Sequence, residues 1–517
     1  MNLSSNIAAV RRSSDRTESA LWLLLAALFC FDCFILLYGL NNGINDFLFS
    51  FRQTQTALTA YWLNKEPHTF AYITPVLGAP WSMPFEYPVY QWLAVFLTKL
   101  GVPLVPAGRL VSFAAFVGCL LPVWTMARDL GISRRAFLLV AAVCLACPFY
   151  IYWSRTFMIE TTALFFSLCW LAGIVRSRIS PHPLLWLATL GFGCLAVLTK
   201  STTFLGIGPV GGALYLYDAF VWLRRDRSLS SLYGLLWRGI LFAVPIFVGA
   251  AWVAASDHFK AANVYGPYLS SEALNAWNFG SLSQRFLLRE PILTSLKETF
   301  GYIGLIVPIL VALDLIRSNY RTAILFAVAG YLSAFLIFSN LHIVHTYYQS
   351  SNAIFACIAV GLTVASAIEK GWLKTSAVVV AVIIASQLHY FHEYFWIAVS
   401  NDNVGDPAIV TARAARDATK PDESLLVFGD DWSSRIPFYS ERKSLAVPGF
   451  TQQPTFDKIL ADPQAFLDGA KLGGVVDCRL PPPHWAAYRP EQTAKIDQFM
   501  AGREIIFQNG PCKLGAP

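Results

Sequence analysis

The sequence predicts an α-helical polytopic membrane protein with a small α/β domain at its C-terminal end, and three observations carry that expectation. Only 14% of the 517 residues are charged while 56% are hydrophobic, against roughly 25% charged residues in a soluble globular domain. Apolar runs long enough to cross about 30 Å of hydrocarbon recur along the first 400 residues. From Asn401 onward the composition turns to that of a soluble chain. The same arithmetic disfavours a water-soluble enzyme, a disordered chain and a collagen-like rod. With 28 prolines and 15% aromatic residues, part of the chain must be elaborate loop.

The apolar runs lie near 20–40, 109–127, 136–153, 161–175, 184–200, 204–223, 239–255, 301–316, 322–339, 350–368 and 375–398, about eleven helices. Basic residues gather in alternate links: Arg11, Arg12 and Arg16; Arg128, Arg134 and Arg135; Arg176 and Arg178; Arg224, Arg225 and Arg227; Arg317 and Arg321; Lys370 and Lys374. The positive-inside rule puts these links in the cytoplasm. The N-terminus is then cytoplasmic, the long segments 41–107 and 257–300 are outside, and so is the tail, as in a multi-pass protein of a bacterial inner membrane. The first span, with an apolar core of about twenty residues, reads as an uncleaved signal anchor. The domain division expected is 1–399 for the membrane module and 400–517 for a periplasmic domain. The net charge of +7 is accounted for by the cytoplasmic arginines, so no nucleic-acid partner is implied.

In the tail, a helical stretch (407–418) precedes the apolar run 424–428; further runs at 443–447, 473–477 and 503–507 alternate with helical patterns near 453–468 and 490–500. Strands interleaved with helices indicate a small α/β domain. Asp430 and Asp431 follow the first strand, where an open sheet can bind a ligand, although a plain turn accounts for them too. No GxGxxG or P-loop occurs. Of ten cysteines, eight lie in apolar runs as packing residues, Cys30 and Cys33 among them. Cys478 and Cys512 are the pair in the external tail, and a disulfide between them is expected in an oxidising compartment.

Candidate chemistry gathers on the outer side. The first loop carries Asn45 to Ala57, with Asp46, Arg52, Gln53 and Gln55, and the stretch to Leu63 reads as an amphipathic interfacial helix. It also carries Gly78 to Gln91, where Glu86 stands alone among prolines and aromatics including Trp81, Phe85 and Tyr87. Burial of a lone carboxylate raises its pKa toward the range of a general base. The tight hairpin 152–160 places Arg155 and Glu160 at the membrane edge, as a mutual ion pair or as site residues. His342 and His345 supply two ligands at most, so hydrogen bonding is favoured over a metal. Lys200 ends the fifth span, either snorkelling or meeting an anion. Asp32 is the main mid-membrane acid, and a single acid is not a transport relay.

Taken in order, these pieces resemble the polytopic GT-C glycosyltransferases, in particular the glycosyltransferase 39-like group that includes protein mannosyltransferases and the lipid A aminoarabinose transferase. The likeness spans roughly residues 20–370 and rests on Asp46, FRQTQTA, PFEYPVYQ, GRLVSF, SRTFMIE, LTKSTTF and HTYYQ. Related first-loop helices often read RQxD, whereas Gln55 stands at that Asp here. The resemblance implies transfer of a sugar from a polyprenyl-phosphate donor to a lipid, glycan or protein acceptor on the periplasmic face, by inverting displacement. It implies a carboxylate base, Asp46, with Glu86 or Glu160 orienting the acceptor or, for Glu86, replacing it. Arg52, Arg155, Lys200, His345 and Tyr347 would hold the donor phosphate, and Gln53, Gln55, Trp81 and Tyr87 the substrate. No cofactor is required, a divalent metal is left open, and membrane lipids are partners. The alternatives are a carrier or flippase for lipid-linked sugars, and a non-catalytic envelope scaffold.

Overall fold

A computed structural model describes residues 3–44, 50–68, 70–224, 228–479 and 487–517, with the backbone alone for 3–16 and 50. The chain forms two compact units. One comprises Met1–Gly39, Leu110–Ala250 and Asn275–Ser400; the other comprises Leu40–Arg109, Ala251–Leu274 and Asn401–Pro517.

The first unit is helical, and each of the eleven apolar runs is found in helix. Among the described residues, five helices are long and apolar enough to cross a membrane: Thr17–Tyr38, Leu104–Asp129, Ser201–Arg224, Leu229–Lys260 and Leu373–Ser400. Arg289–Leu305 and Val307–Leu315, bent by 77° at the break between them, meet the same criterion only when taken together, as a broken span or a re-entrant loop. The protein is thus a multi-pass membrane protein. Other runs are shorter or interrupted, for identifiable reasons. The run 136–153 divides into Arg134–Leu145 and Pro148–Trp153, because Pro148 has no amide hydrogen for the preceding turn and opens a new helix instead. Lys200 is extended, at φ −162° and ψ 102°, and separates Pro183–Thr199 from Ser201–Arg224.

Small residues permit close helix approach in this unit, as expected where lipid supplies no hydrophobic drive for association. A Cβ on Gly361 would stand 2.6 Å from the Val140 Cα, so Ala353–Glu369 and Arg134–Leu145 meet backbone to backbone. The Trp170 indole lies against Gly193 and Gly211 and donates to the Leu241 carbonyl at 2.9 Å.

The second unit contains a five-stranded mixed sheet of order β2-β1-β3-β5-β4, with β1 Ser424–Phe428, β2 Ser444–Val447, β3 Leu472–Cys478, β4 Ile505–Asn509 and β5 Cys512–Gly515. β1 is parallel to both neighbours and every residue in it is buried, the pattern of a strand covered on two faces. β5 runs antiparallel to β3 and β4. Cys478 and Cys512 stand directly opposite on β3 and β5 and are joined as a disulfide. The other edge, at β2, is covered by first-loop residues: Gly78 donates to Ser444 O at 3.0 Å, Ser444 to Pro75 O at 3.0 Å and Ala446 to Val76 O at 2.8 Å. Pairing of that kind removes an open edge that would invite aggregation.

Helix Ser50–Lys65 differs from the amphipathic interfacial helix expected. Residues 53–60 are all buried, so the two middle turns have no polar face directed to water, and only Asn64 and Lys65 at its end are exposed. Its Thr side chains are accommodated by internal bonds: Thr56 and Thr59 donate to the Arg52 and Gln55 carbonyls, and Thr59 pairs with Thr74 at 2.8 Å.

Candidate active site

In the helical unit, two helix breaks present opposite charges to each other. Glu160 begins Glu160–Ser177, and Lys200 follows the last residue of Pro183–Thr199. An acid in the first turn and a cation past the last turn each match the dipole of their helix. The two side chains form an ion pair and are almost sealed from solvent, at 4% and 3% exposure. The second Glu160 oxygen has no hydrogen-bond partner among the described residues. Glu160 is therefore not the partner of Arg155; that guanidinium donates to the Gly39 carbonyl at 2.9 Å. Arg155 is itself 2% exposed.

A short 3-10 helix, Thr346–Ser351, completes this cluster. The Lys200 ammonium stands 4.2 Å from the Tyr348 ring centroid and 5.1 Å from that of Tyr347. His345 stacks on Tyr347 at 5.2 Å. Gln349 is fully buried, and neither of its amide atoms has a partner among the described residues. His342 is buried with its Nδ1 3.0 Å from Phe338 O, and burial pushes its pKa down to about 4, so the ring is neutral. Four residues expected from the sequence, Arg155 and Glu160 from the hairpin, Lys200 and Tyr347, thus lie in buried positions of this unit. Tyr348 and Gln349 were missed. An aromatic beside Tyr347 could not be ranked without knowing the helix type, and Gln349 is followed by the polar Ser350, Ser351 and Asn352, among which one more amide gives no signal.

In the second unit, Glu86 is not the isolated carboxylate expected. It is ion-paired with Arg52, whose guanidinium also bonds Gln55 Oε1. The Glu86 carbonyl accepts from Tyr72, and burial, then Glu86, raises the pKa of that phenol. Trp252 donates to Phe85 O at 2.9 Å, Ser256 to Pro84 O at 2.6 Å, and Asn263 Nδ2 to the carbonyls of Leu77, Gly78 and Pro80 at 3.1–3.2 Å. The Pro-rich loop is thereby held through backbone carbonyls, which its sequence could not reveal. Tyr87 packs edge-on against Trp252 at 5.0 Å, Trp81 is buried near Lys443, and Gln53 is fully buried. Trp432 packs on Phe51 and Phe85 at 4.9 and 5.7 Å. Asp46 lies outside the described residues.

The acidic turn after β1 is unusual in conformation. Asp430 and Asp431 have φ of 55° and 52°, left-handed values that ordinary side chains rarely adopt. Asp430 pairs with Arg435 at 2.7 Å. Burial, then the Asp430 charge, pushes the Asp431 carboxyl up to about 7. Among the described residues no three of His, Cys, Asp and Glu stand together as a metal site.

Comparison with known proteins bears on the fold. No family model and no curated protein sequence matches the chain. Among solved structures, ArnT from Cupriavidus metallidurans in the apo state aligns over 96% of this chain and 98% of its own, with TM-score 0.63 and 14% identity. The same protein bound to undecaprenyl phosphate gives 0.62 over the same shares at 14% identity. The archaeal oligosaccharyltransferase AglB from Archaeoglobus fulgidus gives 0.56 at 11% identity, over 89% of this chain and 69% of AglB. Mycobacterial arabinofuranosyltransferase AftD gives 0.53 at 14% identity, over 95% of this chain and 39% of AftD. These alignments extend over both the helical and the sheet-containing residues, and the chain has the GT-C fold of polytopic membrane glycosyltransferases.

Proposed function

We propose that the protein is a membrane glycosyltransferase that takes a sugar from a polyprenyl-phosphate donor and places it on a lipid, glycan or protein acceptor at the periplasmic face of the inner membrane. The observation that carries this reading is the desolvated Lys200, held by Glu160 and faced by Tyr347 and Tyr348. A buried ion pair is weakly stabilising at best, because desolvating two charges offsets most of their attraction. A fold does not need one at a helix break, whereas a leaving phosphate does need a positioned cation in a dry site. Two of the structures sharing this fold were solved with polyprenyl or dolichol phosphates, which supports a lipid phosphate as the ligand.

As the glycosidic bond to the donor phosphate breaks, negative charge grows on the phosphate oxygens. Lys200 and Arg155 receive that charge, with His345 and Tyr347 as hydrogen-bond donors. Glu160 acts on Lys200 as a positioning residue: it holds the ammonium in place before the phosphate arrives. In the second unit, Glu86 and Gln55 fix Arg52 in the same way. An acceptor hydroxyl is a poor nucleophile and needs a carboxylate to take its proton. Asp46 is assigned that role, since Glu86 is occupied by Arg52. Displacement from the opposite side inverts the anomeric centre.

The test is transfer from labelled polyprenyl-monophosphate sugars in proteoliposomes. Asp46→Asn loses at least 100-fold in turnover with donor binding retained, and Glu86→Gln keeps more activity than Asp46→Asn. Full activity of Asp46→Asn would remove the base assignment. A lipid-linked sugar carrier would instead move donor between leaflets without releasing polyprenyl phosphate.

A further inference from the structure

The helical unit contains a second feature, at the other end of Glu160–Ser177 from the Glu160–Lys200 pair. That helix has 18 residues, so its two ends are about 26 Å apart. At its C-terminal end a cavity of about 580 Å³ opens among six helices, walled mainly by apolar side chains such as Met126, Phe137, Leu171 and Phe326, with Arg178, Asn319, Tyr320 and Thr322 also on its lining. An adjoining cavity of about 360 Å³ shares Leu130, Val175 and Arg178 with it and is lined by Asp129, Asp218 and Arg238. Protein interiors rarely leave voids larger than a water molecule, and ligand pockets occupy roughly 300–1,000 Å³. The larger cavity has room for roughly twenty waters, but its walls offer them few partners. Its size and character suit one fatty-acyl chain.

The mouth is charged in a particular way. Arg178 bonds both Asp218 oxygens at 3.0 and 3.1 Å, and Arg238 stands 3.3 Å from the same carboxylate. Arg176 and Arg128 both reach Asp129 Oδ1, at 2.9 and 3.2 Å. Four guanidinium groups against two carboxylates leave two positive charges in excess, complementary to a phosphate. Asp129 adds a second requirement. Its side chain is only 2% exposed, and Oδ2 has no hydrogen-bond partner among the described residues. A buried acceptor left in that state is costly, and it calls for a donor at the mouth.

We infer that this is a binding site for a bilayer phospholipid whose headgroup carries a hydrogen-bond donor beyond its phosphate. One acyl chain occupies the apolar cavity, the phosphate meets Arg178 and Arg238, and a headgroup hydroxyl or ammonium donates to Asp129. Glycerol and ethanolamine headgroups satisfy both conditions, whereas choline offers no donor. The site lies at the arginine-rich end of the unit, where the positive-inside rule places the cytoplasmic leaflet. It is separate from the donor site proposed at Lys200.

The full-length protein, stripped of lipid, is titrated by native mass spectrometry with phosphatidylglycerol, phosphatidylethanolamine and phosphatidylcholine of identical chains. The first two bind at least five-fold more tightly than the third. Ala323→Trp, which fills the cavity from its wall, lowers the first two affinities at least five-fold, and Arg178→Gln does so for phosphatidylglycerol. Independently, a phosphatidylglycerol with a diazirine at its acyl terminus cross-links wild-type protein at Phe326 or Ile358, which decides the matter if Ala323→Trp does not fold. Equal binding of the three lipids, or cross-links confined to residues outside the cavity, overturns the site. So does competition by undecaprenyl phosphate at equal concentration, which would make the cavity a polyprenyl site.

Discussion

The Glu160–Lys200 pair makes a demanding prediction because stability and activity respond to it differently. At hydrogen-bond contact, ~3 Å, two unit charges in an effective dielectric of about 20 attract by roughly 5–6 kcal/mol before desolvation is subtracted. Both side chains are at least 96% buried, so removing one partner strands the other, a loss of about 3–5 kcal/mol. Replacing both by apolar residues of similar length removes attraction and desolvation together and is close to neutral. Glu160→Met and Lys200→Met are therefore each expected to lose about 3 kcal/mol in reversible unfolding in mixed micelles. The double variant loses less than either single, which puts the coupling above about 3 kcal/mol. Turnover separates the roles: the double variant folds yet transfers at least 100-fold more slowly, because the Lys200 ammonium no longer meets the leaving phosphate. Singles that cost under about 1 kcal/mol would show that the pair is not desolvated. A stable double variant with near wild-type turnover would refute the role of Lys200 in catalysis.

Other outcomes follow from particular contacts. The Asp431 carboxyl is raised to about 7 in the fold from an ordinary 3.8, so the folded state binds the extra proton between those values and stability falls as pH rises through that window. Asp431→Asn, which tolerates the left-handed backbone, should unfold like wild type near pH 4 and be more stable by about 1–2 kcal/mol near pH 8 in thermal scans. The Cys478–Cys512 disulfide closes a separation of 34 residues, and removing it with serines should cost about 4 kcal/mol of chain entropy, seen as earlier proteolysis of the sheet. Gly361→Ala forces a methyl onto the Val140 backbone, and should cost about 1–3 kcal/mol in the micelle assay while Gly191→Ala, a helical glycine with open space around it, has no such clash.

Much of the architecture was legible because it depends on periodicity and composition. Apolar length located all eleven helical runs, and the alternation in the tail located β1, β2, β3 and β4 within a few residues. β5 escaped, since Cys512–Gly515 is only four residues, too short for its alternation to register. The Cys478–Cys512 bridge followed from there being one cysteine pair in the tail. What failed depended on tertiary partners. The character of Ser50–Lys65 was misjudged because its hydroxyls bond within the unit, which hydropathy counts as exposure. Glu86 looked solitary because its cation, Arg52, is 34 positions away, and Glu160 was set against Arg155 by proximity in sequence while its partner is 40 positions distant. Lys200 was recognised as anomalous from one polar residue at a span end, since a charge there needs a reason. Asn263 had no comparable signal, as a single amide in a loop is unremarkable until its three carbonyl acceptors are known.

The central claim, transfer of a sugar from a lipid phosphate, is tested most directly by mass spectrometry of envelope glycans, lipid A and the polyprenyl-phosphate pool in cells with and without the protein. Loss of it should remove one sugar from one acceptor and accumulate the matching polyprenyl-phosphate sugar, with both changes reversed by the wild-type chain and by neither Asp46→Asn nor Lys200→Met. Glycans and donor pool that are unchanged by loss of the protein would contradict it.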